Sequence, residues 1–323
     1  MAAVDQQPLG SGFGKDTPAS EVMQGIDLAG KTSIVTGGYS GIGVETVRAL
    51  AAAGAEVIVP ARNREKAEEN LADIEGTVRI ADMDLGDIGS VRGFAAHMRE
   101  NYDKLDILIN NAGVMASPLF RVGPGWEGQF GTNHMGHFAL TQELMPLLEK
   151  AEAPRVVALS STAHKMSDIH WDDPNFENHD YDKWQSYGQA KTANALFAVA
   201  LDRRMRDFGG RAFSVHPGGI STPLQRHLPL EEQIAMGWRK ENGEPSDMAA
   251  KLFKSVEAGG ATAAWAATSP LLGDNGGLYC EDCDVAQLGD DESPRFTHVQ
   301  PHAVDEESAE RLWQMSEEML KTA

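Results

Sequence analysis

Short apolar runs alternate with longer stretches of helical periodicity along most of this chain. After the run Ser33–Val35, apolar residues recur at Val44, Val47 and Leu50 until Gly54, which is the spacing of one helix face. Further runs predict five more strands and a candidate for a last one: Val57–Val59, Val78–Met83, Ile107–Asn110, Arg155–Leu159, Ala212–Val215 and the candidate Leu278–Cys280. Near-continuous apolar strands that alternate with helices favour a parallel sheet covered on both faces. With right-handed crossovers, this predicts a doubly wound, mostly parallel α/β fold in a single domain.

Three segments fall outside this alternation. Residues 1–30 are rich in Gly, Pro, Gln and Asp, which predicts a poorly ordered or surface-lying arm before a domain that spans 31–323. The polar and aromatic stretch 165–185 and the stretch 223–257 also interrupt the pattern. Because long loops in compact domains are often functional, we expect both stretches to border a ligand pocket; solvated loops or packing extensions are the alternative.

Composition narrows the range of partners. The 323 residues include 28 Lys and Arg against 48 Asp and Glu, and the net charge of -20 repels phosphate backbones and anionic lipid surfaces. The sequence contains no run near the ~18 apolar residues of a membrane helix, and its start lacks the pattern of a signal peptide. We therefore expect a cytoplasmic protein that binds neither nucleic acid nor membrane.

Metal and redox chemistry find little support in the sequence. Cys280 and Cys283 form a single C-x-x-C without nearby histidines, and we interpret them as ordinary thiols. Acids and histidines are not clustered at metal-ligand spacing, so we expect no catalytic metal. His164 and His216 are interpreted as hydrogen-bonded structural residues rather than as general bases.

A glycine-rich turn follows the first strand and opens the first helix. It reads Thr36-Gly37-Gly38-Tyr39-Ser40-Gly41-Ile42-Gly43, with the spacing G-x-x-x-G-x-G. Glycine at 37 allows a sharp turn, and at 41 and 43 it lets the backbone approach a pyrophosphate at the helix N-terminus, where amide donors and the dipole favour negative charge. The turn predicts a dinucleotide cofactor whose binding residues include Tyr39, Ser40 and Ile42, while a purely structural turn is the alternative.

The residues after the second strand bear on the choice of cofactor. A free ribose 2′-hydroxyl usually meets an acid at this place, whereas a 2′-phosphate needs a cation. The sequence has Pro60-Ala61-Arg62 and no acid there. Because a guanidinium can pair with phosphate as a planar fork, Arg62 favours NADP over NAD, with an Arg62 that lies in solvent as the alternative.

Tyr187 and Lys191 lie four positions apart in a predicted helix, so they share one helix face. A phenol has an ordinary pKa of about 10, and a neighbouring cation lowers it by stabilising the phenolate. The pair can therefore supply a tyrosine acid or base near neutral pH. Such a spacing also arises by chance, so the interpretation depends on the residues that accompany it.

These residues occur together with others in a recognisable order. The elements are Thr36–Gly43, Asp84-Leu85, Asn110–Gly113, Asn133, Ser160-Ser161, Tyr187–Lys191 and His216–Gly218. In this order the chain resembles the short-chain dehydrogenase/reductase family, whose members have a Rossmann fold. Within the family it is most similar to the branch of retinol dehydrogenases and the WW-domain oxidoreductase, without a WW module, through Glu21–Lys31, Asn133–Phe138, Gly260–Thr262 and Gly277–Tyr279.

The resemblance implies catalytic roles for four residues. Ser161 would hydrogen-bond the substrate oxygen, and Tyr187 would exchange a proton with it while a hydride moves to or from nicotinamide. Lys191 would hold the nicotinamide ribose and lower the tyrosine pKa. Asn133 would support a water and proton relay through a helix irregularity. Capping of a turn by Ser161, of a helix by Asn133, and a solvated Lys191 are the alternatives.

The resemblance also implies cofactor contacts and assembly. Asp84 and Leu85 would border the adenine, Asn111 the adjoining ribose, and Ile220 with Thr222 the nicotinamide carboxamide. Family members commonly pair through the two long helices after the fourth and fifth strands, which implies a homodimer.

The apolar residues of the stretch 223–257 bear on the substrate. They are Leu224, Leu228, Leu230, Ile234, Met236 and Trp238, an amphipathic set suited to cover a greasy molecule. We therefore expect an NADP-dependent oxidoreductase that interconverts an alcohol and a ketone or aldehyde, on a lipophilic or aromatic substrate. A nucleotide-sensing regulator on the same fold, and a lyase or isomerase that reuses the pocket, are the alternatives.

Overall fold

In the computed structural model, which describes residues 6–290 and 292–323, an eight-stranded sheet runs through the centre of the molecule. Its strands are β1 Thr32–Val35, β2 Glu56–Ala61, β3 Thr77–Asp82, β4 Ile107–Asn110, β5 Arg155–Leu159, β6 Arg211–His216, β7 Leu278–Glu281 and β8 Asp284–Val285. Their spatial order is β8-β7-β6-β5-β4-β1-β2-β3. All neighbours are parallel except β7 and β8, which are antiparallel. The predicted doubly wound α/β fold is confirmed.

The strands are apolar on both sides because the sheet is covered on both faces. In the register of β1 and β4, Ile34 is paired with Leu108 and lies in one buried apolar cluster. The next pair, Val35 with Ile109, lies in the cluster on the opposite face. Every predicted strand is present within two residues of its predicted ends. The two-residue strand β8 was not predicted, since Asp284 and Val285 are too few to form a pattern.

Helices cover both faces of the sheet. They are α1 Ala19–Val22, α2 Ile42–Ala52, α3 Arg64–Leu71, α4 Ile88–Asn101, α5 Gly136–Leu148, α6 Lys183–Met205, α7 Leu230–Ala235, α8 Asp247–Leu252, α9 Val256–Gly259, α10 Ala261–Thr268 and α11 Glu306–Leu320. The helices α4, α5, α6 and α11 pack on one face, and α1, α2, α3 and α10 on the other. Among the described residues, no helix combines the length and the hydropathy needed to cross a membrane.

Shorter elements complete the chain. An α-helical turn Gly128–Phe130 and a π-helix Gly131–Met135 lead directly into α5. Short 3-10 helices lie at Thr162–Met166, Arg206–Phe208, Pro223–His227, Pro270–Leu272 and Pro301–Val304. Two small strand pairs join Arg121–Val122 with Trp126–Glu127 and Gly219–Ile220 with Phe253–Lys254.

Side-chain caps set where several helices begin. The carboxylate of Asp182 accepts the backbone N–H groups of Trp184 and Gln185, both at 2.8 Å, and so satisfies donors that have no partner inside α6. Asn63 caps α3 and Asp87 caps α4 in the same way. The cap of α6 lies a little over one turn before Tyr187, so it fixes the end of the helix that carries this residue.

The described part of the N-terminal segment, residues 6–30, packs against the rest of the domain, while the predicted division into an arm at 1–30 and a domain at 31–323 stays a prediction. The Gln6 amide donates to the carbonyl groups of Tyr279, at 3.0 Å, and Ala286, at 2.9 Å. Ala19 and Val22 of α1 are buried in the apolar cluster that α2 and α10 also form. The segment therefore shares the core of the 31–323 domain rather than standing apart from it.

The last helix, α11, fills the groove between α5 and α6. The ring of Trp313 stacks on Phe197 at 5.9 Å and meets Phe138 edge-on at 5.0 Å. His134 Nε2 lies 2.8 Å from the Ser316 hydroxyl, which ties the same helix to the π-helix. These are the two long helices through which the family resemblance implied pairing of two copies. The chain's own C-terminal helix packs on them, and the homodimer stays a prediction.

Candidate active site

A cavity of about 510 Å³ lies at the carboxyl ends of the parallel strands. Its wall includes residues at or just after the ends of six strands: Thr36, Arg62, Met83, Asn111, Ser161 and His216. The strand order reverses between β1 and β4, directly beneath this cavity. In doubly wound sheets this crevice is where ligands bind.

The glycine turn lies in the wall of this cavity, with Gly37, Tyr39, Ser40, Gly41 and Ile42 lining it. Gly43 lies against the turn's own backbone, where a Cβ atom would stand 2.5 Å from the Gly37 carbonyl oxygen. A Cβ atom on Gly37 would stand 2.9 Å from the Cα of Ala112. Glycine at 37 and 43 therefore lets the turn close tightly between β1 and α2 and brings its backbone to the cavity.

A buried hydrogen-bond network holds this turn to the neighbouring loops. The Thr36 hydroxyl accepts the backbone N–H groups of Asn111, at 2.9 Å, and Ala112, at 3.0 Å, and lies 2.8 Å from His137 Nε2. His137 Nδ1 lies 2.8 Å from the carbonyl oxygen of Asn133. Burial lowers the pKa of His137 to about 4, so the ring is neutral and donates from Nδ1 while Nε2 accepts from Thr36.

Asn133 lies on the π-helix Gly131–Met135, a helix irregularity of the kind that the family resemblance implied for this residue. Its side chain is fully buried, with the amide oxygen accepting from Val114 N–H at 2.8 Å and the amide nitrogen donating to the Val114 carbonyl at 2.9 Å. Asn133 does not line the cavity among the described residues. Its amide instead fixes the loop that follows β4.

Ser161 and Tyr187 meet in the cavity wall. Ser161 follows β5 and Tyr187 lies in the second turn of α6, and both line the cavity. Tyr187 is 4% exposed, and its burial raises the pKa of the phenol, while a hydrogen bond with Ser161 lowers it. The Ser161 hydroxyl also accepts from Ala163 N–H at 3.2 Å, so this serine caps a turn as well as reaching the tyrosine.

Lys191 lies one helical turn beyond Tyr187 and also lines the cavity. Its ammonium nitrogen donates to the Leu159 carbonyl at 2.8 Å and lies 5.5 Å from the centre of the Tyr187 ring. Burial lowers the pKa of Lys191 to about 7. Burial and Ser161 are the causes that shift the pKa of Tyr187 here, and the lowering of that pKa by Lys191 stays a prediction.

The other predicted cofactor residues divide into two groups. Those in the cavity wall are Arg62, Leu85, Asn111, Ile220 and Thr222. Asp84 lies outside the wall, and its carboxylate accepts from Gly86 N–H at 2.9 Å. The neighbours Met83 and Leu85 line the cavity, and the place of Asp84 beside a bound adenine stays a prediction.

Several residues of the cavity wall were not identified from the sequence. They are Lys66, Met115, Arg226, Phe253 and Phe296. Arg226 lies inside the stretch 223–257. Its position as a cation among apolar residues was the sequence feature that could have identified it as part of the site. Phe296 lies more than two hundred and fifty positions after the glycine turn, and no local sequence pattern identifies it.

The two stretches expected to border a pocket behave differently. Pro223, Leu224 and Trp238 from the second stretch line the cavity, whereas Leu230 is 44% exposed. Of the first stretch, 165–185, no described residue lies in the wall. This stretch instead supports the wall from behind. The ring of Trp184 packs edge-on against the ring of Trp238 at 6.3 Å and lies 6.4 Å from the ring of Tyr187.

His164 and His216 are both buried close to the catalytic candidates. His164 Nδ1 lies 2.7 Å from the Ser161 carbonyl, and its Nε2 accepts from Gln300 N–H at 3.0 Å. Burial lowers the pKa of His164 to about 3, which keeps it neutral. His216 lines the cavity, and burial lowers its pKa as well. His164 thus has the structural hydrogen bonds expected of it and joins the Ser161 turn to the segment near Gln300.

Comparison with known proteins decides the family. A family model described as short chain dehydrogenase matches residues 31–233. The chain belongs to the short-chain dehydrogenase/reductase family. It is accordingly an NAD(P)-dependent oxidoreductase, and its relatives include the retinol dehydrogenases expected from the sequence.

The relatives match over nearly the full length. A protein named "Probable oxidoreductase" from Streptomyces lividans is 42% identical over 300 residues, which cover 91% of this chain and 99% of the relative. Human retinol dehydrogenase 13 is 35% identical over 298 residues, covering 91% of this chain and 85% of the relative. This short-chain dehydrogenase/reductase is therefore similar to the retinol dehydrogenase branch along its whole domain.

Solved structures agree on the fold. A crystal structure of an uncharacterized protein from Mycobacterium Paratuberculosis is 32% identical, with a TM-score of 0.71, and covers 94% of this chain and 98% of that chain. The Pseudomonas aeruginosa RhlG/NADP active-site complex is 25% identical, with a TM-score of 0.59, and covers 79% and 96%.

The residues around the cavity fit a nicotinamide dinucleotide. Glycine at 37 and 43 lets the turn close tightly, and Gly37, Ser40 and Gly41 bring the turn to the cavity wall, where a pyrophosphate can approach its backbone. The cations Arg62, Lys66 and Arg226 lie in the wall together with this turn, and Tyr187 and Lys191 form another part of the same wall. The donor set thus suits a ligand with phosphate charge in one part and a reacting group in another.

Proposed function

We propose that this oxidoreductase interconverts an alcohol and a ketone or aldehyde, on a lipophilic or aromatic substrate, with NADP as its preferred cofactor. The observation that carries the proposal is the contact of Ser161 with Tyr187 in the same cavity wall as Lys191 and the glycine turn. Two hydroxyl groups side by side at a buried site can hold one substrate oxygen between them.

The chemistry follows from the charge that develops during carbonyl reduction. The substrate oxygen becomes negative, so the Ser161 hydroxyl donates a hydrogen bond to it and the Tyr187 phenol delivers a proton to it. Burial raises the pKa of Tyr187, so the phenol is in the protonated form that can donate. A nicotinamide dinucleotide supplies or accepts the hydride when bound.

Lys191 and Asn133 have different roles in this proposal. With a pKa of about 7, Lys191 exchanges a proton readily near neutral pH. Its nitrogen and the Asn133 amide both lie near Gly113, since a Cβ atom there would stand 3.9 Å from Lys191 Nζ and 3.1 Å from Asn133 Oδ1. We assign Lys191 to the nicotinamide ribose and Asn133 to the position of the loop that carries Asn111.

The preference for NADP rests on charge at the end of β2. Arg62 and Lys66 are cations in the cavity wall, and the strand end lacks the acid that would bind a free ribose 2′-hydroxyl. One of the similar solved structures is a complex with NADP, which agrees with this assignment.

The preference for a lipophilic or aromatic substrate rests on the wall beyond the catalytic residues. Met115, Leu224, Trp238, Phe253 and Phe296 supply apolar and aromatic surface there. Apolar walls with a few polar groups are typical of sites that bind hydrophobic small molecules. The similarity to proteins named retinol dehydrogenases points to the same substrate class.

A screen tests the proposal. Alcohols and ketones of graded size are offered with NADP(H) and with NAD(H), and absorbance in the nicotinamide band is followed. Turnover of larger apolar substrates with net change of NADP(H) is expected. Product formation with an unchanged cofactor would indicate a lyase or isomerase, and cofactor binding without any turnover would indicate a nucleotide sensor. Equal use of NAD(H) would contradict the NADP preference.

A further inference from the structure

Beside Lys191, three further cations of the described cavity wall have no acid to neutralise them. Arg62 follows β2, Lys66 lies in α3, and Arg226 lies in the 3-10 helix Pro223–His227, hereafter the 223–227 turn. None of the three has an ion pair in the described part of the chain. Nearby, Arg64 pairs with Asp82 at 3.1 Å and Arg48 with Asp73 at 3.1 Å.

The lack of ion pairs at these three residues is unexpected from the composition of the chain. With 48 acidic residues against 28 Lys and Arg, most cations can find an acidic neighbour at little cost. Three unpaired cations that share one wall repel one another unless an anion joins them. Their position in one wall therefore favours an anionic ligand.

Arg226 reaches this wall from the substrate side. The 223–227 turn begins next to the glycine turn, since a Cβ atom on Gly41 would lie 3.3 Å from the Cβ of Thr222. The Arg226 guanidinium donates to its own turn, to the Pro223 carbonyl at 3.2 Å. Arg226 lines the same cavity wall as Arg62, and burial together with the guanidinium of Arg62 lowers the pKa of Arg226.

We infer that Arg226 joins Arg62 and Lys66 in one site for the 2′-phosphate of NADP, and that this phosphate holds the 223–227 turn over the cavity. The inference rests on the proposed NADP preference. A phosphate monoester carries between one and two negative charges at neutral pH and binds guanidinium groups as a bidentate fork. NAD has no group at this position that could link the two arginines.

The consequence concerns the substrate as well as the cofactor. Leu224 lies in the same turn as Arg226 and lines the substrate part of the cavity. A phosphate that holds Arg226 therefore also fixes a piece of the substrate wall. NADP, and not NAD, orders the place where the apolar part of the substrate binds.

The first test measures binding, with Arg226→Gln as the variant. Adenosine 2′,5′-bisphosphate and adenosine 5′-monophosphate are the probes, titrated calorimetrically into the full-length protein. The variant is expected to lose about tenfold or more in affinity for the bisphosphate and to keep its affinity for the monophosphate. Lys251→Gln is the matched control, because Lys251 is an exposed cation of the same region outside the cavity wall.

The second test measures amide hydrogen exchange in the 223–227 turn. In the unsubstituted protein the bisphosphate is expected to slow exchange of the backbone N–H groups of Leu224 and Gln225, and the monophosphate is expected to leave it unchanged. Arg226→Gln should abolish the protection while Lys251→Gln keeps it. Protection that survives in Arg226→Gln would overturn the inference.

The outcomes separate this inference from the proposed function. If Arg62→Gln reduces the bisphosphate affinity and Arg226→Gln does not, the NADP preference stands and the role of Arg226 is refuted. Equal loss of both probes in Arg226→Gln also refutes it, since the guanidinium then binds a group that both nucleotides share. If the unsubstituted protein binds both probes equally, the proposed preference for NADP itself fails.

Discussion

The cofactor side and the substrate side of the cavity are built in different ways. The cofactor side, formed by Thr36–Gly43, Asn110–Gly113 and Gly131–Met135, is held by buried hydrogen bonds between residues far apart in sequence. Thr36 and His137, for example, are 101 positions apart. The substrate side, formed by Gly219–Lys254, is held largely by local bonds, such as Arg239 to Gln233 and to Gly243.

This difference indicates which side of the cavity tolerates amino-acid substitution. Long-range buried bonds fix the cofactor side, and the loss of one leaves buried donors without partners. Local bonds in half-exposed turns leave the substrate side able to vary without disturbing the sheet. We therefore expect substitutions on the substrate side to leave the cofactor side intact.

The largest effect on stability is expected from Thr36→Val. This change removes the hydroxyl that accepts the Ala112 N–H and contacts the buried His137 Nε2, while the Asn111 N–H keeps the Ile109 carbonyl. The change should cost about 2–4 kcal/mol of unfolding free energy. Denaturant unfolding measures the loss. Thr77→Val, at an exposed position of β3, is the control and should change stability by less than about 0.5 kcal/mol. Equal losses of unfolding free energy in the two variants would contradict the claim that long-range buried hydrogen bonds fix the cofactor side.

The second-largest effect on stability is expected from Gly43→Ala. The added methyl group would lie 2.5 Å from the Gly37 carbonyl oxygen, so the turn must open, at a cost of about 1–3 kcal/mol and with loss of NADP binding. Gly93→Ala in α4 has no atom within 4 Å of the added Cβ and should instead stabilise by roughly 0.5–1 kcal/mol. Unfolding curves and cofactor titrations of both variants check this, and unimpaired NADP binding by Gly43→Ala would count against a tight turn.

Acid should weaken the π-helix region through His134. Burial lowers the pKa of His134 to about 3, so between pH 6.5 and 3 the unfolded state binds a proton that the folded state refuses. Stability from this residue is thus present above pH 6.5 and falls by about 1.4 kcal/mol per pH unit as the pH decreases through that window. His134→Phe should reduce the slope by that amount. His227→Gln on the substrate side should reduce the slope of stability against pH far less. Identical slopes in the unsubstituted protein and both variants would contradict the role given to His134.

The smallest effect on stability is expected on the substrate side, from Trp238→Ala. Trp238 is only half-buried and packs against Phe253 at 5.6 Å, so its removal should cost about 1 kcal/mol or less while raising KM for bulky apolar substrates about tenfold. Trp171→Ala, which removes a half-buried indole outside the cavity, should leave KM unchanged. A KM that moves equally in both variants would show that Trp238 does not contact substrate.

Local pattern was enough to predict the strands and the glycine turn. Ile107–Asn110 and Arg155–Leu159 were predicted to the residue, because buried parallel strands are apolar without interruption. The positions of Ser161 and Tyr187 followed from their motifs, and the structure brings both to one cavity wall.

Contacts between distant segments could not be predicted in this way. The cover of α5 and α6 by α11 depends on Trp313 meeting Phe197 across more than a hundred residues, and no local period encodes such a contact. Asp84 closes its own loop instead of facing the cavity, which depends on the backbone of Gly86. The pKa of Tyr187 depends on burial, which only the assembled fold determines.

Turnover by Tyr187→Phe is the most direct test of the central claim that this phenol delivers the proton to the substrate oxygen. The substrate is the best carbonyl compound from the screen, with NADPH, and NADP affinity is measured in parallel. The account predicts a fall in kcat of at least ~10²-fold with cofactor affinity nearly unchanged, while Tyr102→Phe, remote from the cavity, remains fully active. Turnover by Tyr187→Phe within about tenfold of the unsubstituted enzyme would contradict the account.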